Sequence, residues 1–327
     1  MKKITLVLAA LTLMACQQNT QKSNPTGEGE NTTAQVSNDL DQMLLKGKVK
    51  TFTQIVYEGE EKDGQVIKKK FSIAPPSIIR THFNPQGFTT LVEIFDDLSM
   101  EKPYSVEKYF YNEKGQLDKT TLSRTGRDLV KDFYSYNEQG DKILHTREDP
   151  SEGGLSEFKY LYNYTPEGKE VTSHLSDSVK TISYYNKKNL LVKEETYSSD
   201  GGTANVNTYD DKGLLIKIVS YADNTQVAVT TLSYDKYGNQ TSSVTKIDNG
   251  SFSTFNKYEY DSKGNVIKQE CQYINTFVDE EGINNEDKGN YVVTYTLDAQ
   301  GNKTLEVRKN SDQEPRIVIT EYQIEYY

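Results

Sequence analysis

The sequence predicts an all-β protein, an antiparallel meander of repeated hairpins forming one long, twisted or curled sheet. Three observations predict it. The aromatic content is skewed to tyrosine, with 24 Tyr against 11 Phe and no Trp in 327 residues, and Tyr favours strands and half-wet surfaces. A turn signal, an aromatic followed by Asn or Asp, two variable residues and Gly, recurs through most of the chain. Nowhere does the sequence supply a layer of helices to cover a sheet.

Residues 1–15 open with Lys2 and Lys3 and continue in an apolar stretch from Ile4 to Ala15, the layout of a secretory signal. At 12 residues the stretch falls short of the roughly 20 a membrane-spanning helix needs. Leu13-Met14-Ala15-Cys16 resembles a bacterial lipobox. The resemblance implies cleavage before Cys16 and lipidation of that cysteine, and several acyl chains anchor a domain stably where one is marginal. Residues 16–37 then read as the lipidated Cys and a flexible tether: Gln17 to Gln35 hold no aromatic, Val, Ile, Leu or Met and can bury nothing. A coil of that length spans about 25 Å.

Residues 38–327 are expected to be the hairpin domain. Ser37 or Asn38 caps a short helix around Leu40 to Leu45, which Gly47 ends. A first hairpin follows, Val49 to Tyr57 and Val66 to Ile73, turning at Asp63-Gly64. From about residue 80 to 310 the turn motif appears nine times, closing at Gly87, Gly115, Gly140, Gly168, Asn189, Gly213, Gly238, Gly264 and Gly301. Asn or Asp suits the first position of a type I turn and Gly the fourth, where the chain needs positive φ; Asn189 stands in as the residue that best tolerates that conformation. The motif therefore reads as a rule of backbone geometry rather than of side-chain chemistry. Its usual spacing of about 25 residues holds two strands and two turns. Polar second turns lie at Ser123 to Arg127, Asp149 to Gly154, Ser198 to Gly202, Ala222 to Thr225 and Asp248 to Gly250, and the last strand is Ile317 to Tyr326. The total is about twenty strands, and open twisted sheets rarely pass about ten without curling.

Tyr109 with Tyr111, Tyr134 with Tyr136, and Tyr258 with Tyr260 stand two apart, so each pair shares a strand face. These six form the candidate binding stripe, with mutual packing of the rings as the structural alternative. The repeat resembles the YD or RHS family, carried by Tyr258-Glu259-Tyr260-Asp261-Ser262-Lys263-Gly264-Asn265-Val266 and by the copies at Tyr234 to Asn239 and Tyr109 to Leu117. The resemblance covers about two thirds of the chain. It implies a β-strand shell of the kind that encloses a toxin in that family, or a small repeat-bearing lipoprotein of a gram-negative, Bacteroidota-like envelope.

Composition narrows the chemistry. The formal charge is −10, and −12 once Lys2 and Lys3 leave with the leader, which disfavours nucleic acid as a partner. Cys16 and Cys271 are the only cysteines, so no disulfide framework or Cys-built metal site is expected. Cys271 alternates with Ile267 and Tyr273 and reads as a buried thiol. His82, His145 and His174 are isolated in the sequence, carboxylates fall mainly in turns, and no Gly-x-Ser-x-Gly elbow occurs. The segment Phe277 to Gly289, with Asp279, Glu280, Glu281, Glu286 and Asp287, reads as a solvated insertion whose order departs from the calcium-binding EF-hand. The expectation is a lipid-anchored protein of the cell envelope, placed in the outer membrane with its side unresolved. It would bind or scaffold a glycan or envelope protein, with no catalytic residue, metal or cofactor. The alternatives are an envelope hydrolase acting on glycan or peptide, and an RHS-like toxin-associated shell fragment.

Overall fold

The computed structural model describes residues 38–69, 78–127, 129–176, 178–279, 281–311 and 316–327. The leader, Cys16 and the tether lie outside these residues, as does the end of the second predicted strand. Among the described residues one short α-helix, α1 (Asp39–Gln42), precedes 21 strands. Asn38 caps it by accepting from the Asp41 N–H at 2.9 Å, so the expected cap is right and the helix is shorter than expected.

The strands are β1 (Val49–Lys62), β2 (Gln65–Lys68), β3 (Ile78–Phe83), β4 (Thr89–Phe95), β5 (Ser105–Tyr111), β6 (Leu117–Arg124), β7 (Val130–Tyr136), β8 (Lys142–Asp149), β9 (Gly154–Thr165) and β10 (Gly168–Ser176). They continue as β11 (Val179–Asn186), β12 (Leu191–Ser198), β13 (Gly201–Tyr209), β14 (Leu215–Ala222), β15 (Thr225–Tyr234), β16 (Gln240–Ile247), β17 (Gly250–Tyr260), β18 (Val266–Val278), β19 (Asn284–Leu297), β20 (Lys303–Asn310) and β21 (Ile317–Tyr326). From β3 to β21 each strand pairs antiparallel with the next. β1 pairs with β21 on one edge and β3 on the other, so the meander closes into a 20-stranded antiparallel barrel with β2 as an extra strand on β1. Closure removes the two long unpaired edges an open sheet of this size would expose.

The wall is roughly 95 Å around at about 4.8 Å per strand, far wider than the eight or so strands whose own side chains fill a barrel. The register assigns its faces. Glu157, Lys159 and Leu161 on β9, Lys217, Lys246 and Lys257 point outward and are exposed. Thr120, Asp132, Ser220, Ala228, Thr230, Leu232, Ser243, Cys271, Tyr291 and Val293 occupy the opposite, lumenal face and are buried. Thr-Thr and Ser-amide pairs run along this lumenal face: Thr230 with Thr245 at 2.8 Å, Thr181 with Thr196 at 3.1 Å, and Ser220 donating to Asn205 at 2.7 Å. Threonine at paired positions satisfies its hydroxyl across the strands, so the lumen is polar and hydrogen-bonded.

All nine motif turns close the hairpins at one end of the barrel, here the near rim. Seven of them, and the Asn189 copy, have the expected left-handed last residue, for example Gly238 at φ 85° and Asn189 at φ 58°, with a register shift beside it as a bulged hairpin requires. Two readings are corrected. The opening Asn or Asp acts through its side chain as well as its backbone: Asp210 Oδ1 accepts from the N–H groups of Lys212 at 2.9 Å and Leu214 at 2.8 Å, and Asn112, Asn186, Asp235 and Asp261 repeat the pattern. Gly168 sits beside a tight turn with φ 152°, and a Cβ there would overlap the Tyr185 carbonyl oxygen; close approach of β11, not turn geometry, demands it.

The segment Phe277 to Gly289 is also corrected. It is the far end of a long β18–β19 hairpin, paired from Val278↔Asn284 to Lys268↔Thr294. Asp279 opens its turn as in the motif, accepting from Glu281 at 3.0 Å and Ile283 at 2.8 Å, with Gly282 at φ 79°.

Candidate functional site

The motif tyrosine of four repeats is a staple to the preceding repeat. Tyr111 donates to the Thr89 carbonyl at 2.8 Å, Tyr136 to Leu117 at 2.7 Å, Tyr209 to Leu191 at 2.7 Å and Tyr234 to Leu215 at 2.7 Å. Each acceptor lies two residues past the closing turn residue of the preceding repeat. In two repeats the tyrosine two places earlier does this: Tyr162 reaches Lys142 at 2.7 Å and Tyr258 reaches Gln240 at 2.9 Å. Tyr260 instead donates to Asp235 of the neighbouring turn. Half-buried rings with satisfied hydroxyls therefore circle the lumen just inside the near rim.

Burial is the main cause that raises the phenol pKa of Tyr109, Tyr111, Tyr134, Tyr136 and Tyr258, and a nearby carboxylate adds to it, Glu107 at Tyr109 and Asp39 at Tyr111. Tyr260 is pushed up to about 12 by burial and its bond to Asp235.

Helix α1 turns one part of this belt into a cavity. Leu40 packs with Val49 and Phe83, and against Phe52, Ile324 and Tyr326 on the lumenal face. Asp39 accepts from the Thr89 N–H at 2.6 Å and the Tyr111 hydroxyl at 3.2 Å. At the other end of the segment, Asn302 accepts from the Lys46 N–H at 2.7 Å and donates to the Lys46 carbonyl at 2.8 Å. The helix thus bridges the first and last repeats across the β1 seam. Beneath it lies a cavity of about 510 Å³, whose lining includes Asp39, Gln42, Phe88, Tyr109, Tyr111 and Tyr136. Ring faces with a few convergent polar groups are the usual make-up of a small-ligand site.

Three of the six stripe tyrosines therefore meet in one cavity. Tyr134 lies deeper in the lumen, and Tyr258 and Tyr260 stand on β17, away from that lining.

Tyr134 belongs to a second lumenal group that the sequence hid. It stacks on His145 with ring centres 4.8 Å apart, and His145 stacks on Phe158 at 5.1 Å. His145 Nε2 is 2.7 Å from Asp132 Oδ1, while Arg147 lies 3.6 Å from Asp132 and 3.4 Å from Asp149. His82 likewise meets Glu93 at 2.9 Å. The expectation that these histidines are isolated is therefore corrected: cross-strand register supplies carboxylates 11 to 13 residues away, and no local spacing signals that. Lys142 lies over the rings of Tyr134 and Tyr160 at 5.7 and 4.7 Å, and Lys169 over Tyr162 and Tyr185 at 5.8 and 5.5 Å. Among the described residues no group of three or more His, Cys, Asp and Glu is placed to hold a metal ion. Cys271 is buried against Tyr291 and Val293.

No protein-family model and no curated protein matches the sequence. Among solved structures, the chain is similar to the Tc holotoxin pore of Photorhabdus luminescens, at 11% identity over 83% of this chain and 17% of that one, TM-score 0.29. It is also similar to a TcdB2–TccC3–Cdc42 complex, at 14% identity over 83% and 18%, TM-score 0.28. A porin-like protein of Bacteroides uniformis matches at 12% identity over 86% of this chain and 98% of that one, TM-score 0.34. The chain spans less than a fifth of the length of the toxin chains it matches.

Proposed function

We propose that the protein is a lipid-tethered, non-catalytic binding module of the cell envelope that holds a glycan segment in the near-rim cavity. The cavity itself carries this reading. Phe88, Tyr109, Tyr111 and Tyr136 offer flat apolar surface, while Asp39, Gln42, Thr81 and Gln116 converge on the same space with hydrogen-bonding groups. Sugar rings present that combination of apolar faces and hydroxyl edges. The lipobox resemblance at Leu13 to Cys16 supports the tether and an envelope address, and the YD-like motifs support a repeat scaffold.

Calorimetric titration of the unlipidated Cys16→Ser chain against cell-wall and capsular polysaccharide fractions tests the reading. The expected result is saturable binding with the polysaccharide recovered at its original length. Phe88→Ala should weaken binding at least tenfold while leaving the melting temperature within a few degrees, because Phe88 lines the cavity from a turn. Recovery of shortened chains would favour the hydrolase, and a flat titration would leave the barrel as a shell or scaffold without this ligand.

A further inference from the structure

The cavity under α1 holds one charged side chain. Of the described residues that line it, Asp39 alone is ionisable to a charge near neutral pH; the rest are apolar or neutral polar. Asp39 is bonded through one oxygen: Oδ2 accepts from the Thr89 N–H at 2.6 Å and the Tyr111 hydroxyl at 3.2 Å, and Oδ1 accepts from no described group. A carboxylate offers about four lone-pair sites, so Oδ1 stays available to a donor. Four rings share the space. Phe88 packs on Tyr111 with ring centres 5.1 Å apart, and Tyr109 and Tyr136 join them in the lining.

The surroundings carry the same sign. Glu107 at Tyr109, Asp39 at Tyr111 and Asp118 at Tyr136 each add to the upward push of burial on the phenol pKa. The turn tips beside the cavity, between β5 and β6 and between β7 and β8, bear Glu113 and Glu138 against Lys114, and Asp41 is exposed on α1. Lys142 and Lys169, on β8 and β10, are outside the lining. Lys169 is paired with Asp141 at 2.7 Å, and Lys142 lies over Tyr160 at 4.7 Å and Tyr134 at 5.7 Å. A glycan bearing carboxylates or phosphates would meet these acids with no cation among the described lining residues to receive it. Aromatic faces attract a cation through their quadrupole, a carboxylate pairs with it, and a partly enclosed space strengthens both.

We propose that the glycan held in this cavity carries a protonated amine, as an amino sugar without its N-acetyl group does, with the ammonium directed to Asp39 Oδ1 and the sugar face against the rings. The inference rests on the proposed glycan reading and narrows its ligand.

The unlipidated Cys16→Ser chain is titrated calorimetrically, at physiological salt, with a trimer of β-1,4-linked glucosamine and with the same trimer fully N-acetylated, which keeps the rings and removes the charge. The expected result is one-to-one binding of the amine trimer, at least about tenfold tighter than of the acetylated one. Asp39→Asn, which keeps an oxygen for the Thr89 N–H, should weaken binding of the amine trimer at least about tenfold and bring the two affinities together. Asp211→Asn makes the same charge change on the exposed β13–β14 turn and should leave both unchanged, which separates the site from general attraction of a cation to a chain of net charge −10. The contrast between the trimers is read on the intact cavity, so it decides even where Asp39→Asn fails to fold. No binding of the amine trimer, equal affinity for the two trimers, or equal losses from Asp39→Asn and Asp211→Asn would overturn the amine. None of these outcomes removes the glycan reading, which falls only with a flat polysaccharide titration.

Discussion

Gly238 and Asn189 hold the same place in their turns, at φ 85° and 58°, and they predict opposite responses. Gly238→Val forces a β-branched residue to positive φ and should destabilise by roughly 1 to 3 kcal/mol. Asn189→Gly should be nearly neutral, and both are read from thermal melts. The staple tyrosines predict a smaller effect. Tyr136→Phe keeps the ring and removes the bond to the Leu117 carbonyl, so it should cost about 1 kcal/mol in denaturant unfolding. An unchanged midpoint would remove the hydroxyl from the account of how repeats are joined. The motif residues were legible because turn geometry is local, whereas the demand for glycine at 168 comes from the backbone of a strand almost 20 residues later.

At the scale of the element, α1 and the segment after it matter more than their length implies. Asn302, 3% exposed, is bonded to both backbone groups of Lys46 and to the Tyr326 hydroxyl. Asn302→Ala removes both of its bonds to the Lys46 backbone, so it should destabilise by about 1 to 2 kcal/mol. It should also raise amide exchange around Lys46 before exchange rises elsewhere, since Leu40, Asn38 and Asp39 hold the other end of the segment. The β18–β19 hairpin makes the complementary case. Its acidic composition reads as a loop, but the Asp279 side chain and the pairing from Val278↔Asn284 to Lys268↔Thr294 carry both strands to that turn, because an antiparallel strand takes polar residues wherever its face meets water.

Across the whole molecule, two properties follow from one face of the wall looking into a polar lumen and the other into solvent. Lys217, Lys246, Lys257 and Glu157 on the outer face make burial in lipid unfavourable by about 2 to 4 kcal/mol for each mid-membrane Lys. The unlipidated chain should therefore stay in the aqueous phase of a detergent partition. The raised tyrosines add a pH dependence. A phenol whose folded pKa lies above its unfolded value near 10, such as Tyr260 at about 12, contributes stability that is present below pH 10. That stability disappears as pH climbs towards 12, because the unfolded chain ionises first. With Tyr109, Tyr111, Tyr258, Tyr295 and Tyr322 shifted the same way by burial, the denaturation midpoint should be level from pH 7 to 9 and fall steeply above 10. Tyrosinate absorbance should rise in step with unfolding, and a rise well before unfolding would contradict burial of the belt.

The sequence by itself determined the all-β class, the near-twenty strands, the turn residues and the last strand at Ile317–Tyr326. These depend on interactions within a few residues, or on the two-residue alternation of a strand, both of which repeat legibly. Only the tertiary structure decided that β1 joins β21 to β3, that three of the six stripe tyrosines meet under α1, and that His145 finds Asp132. Closure fixes these together: each strand's register is set by its neighbour, and once the last meets the first, residues far apart in the chain share a face, a height and an end of the barrel.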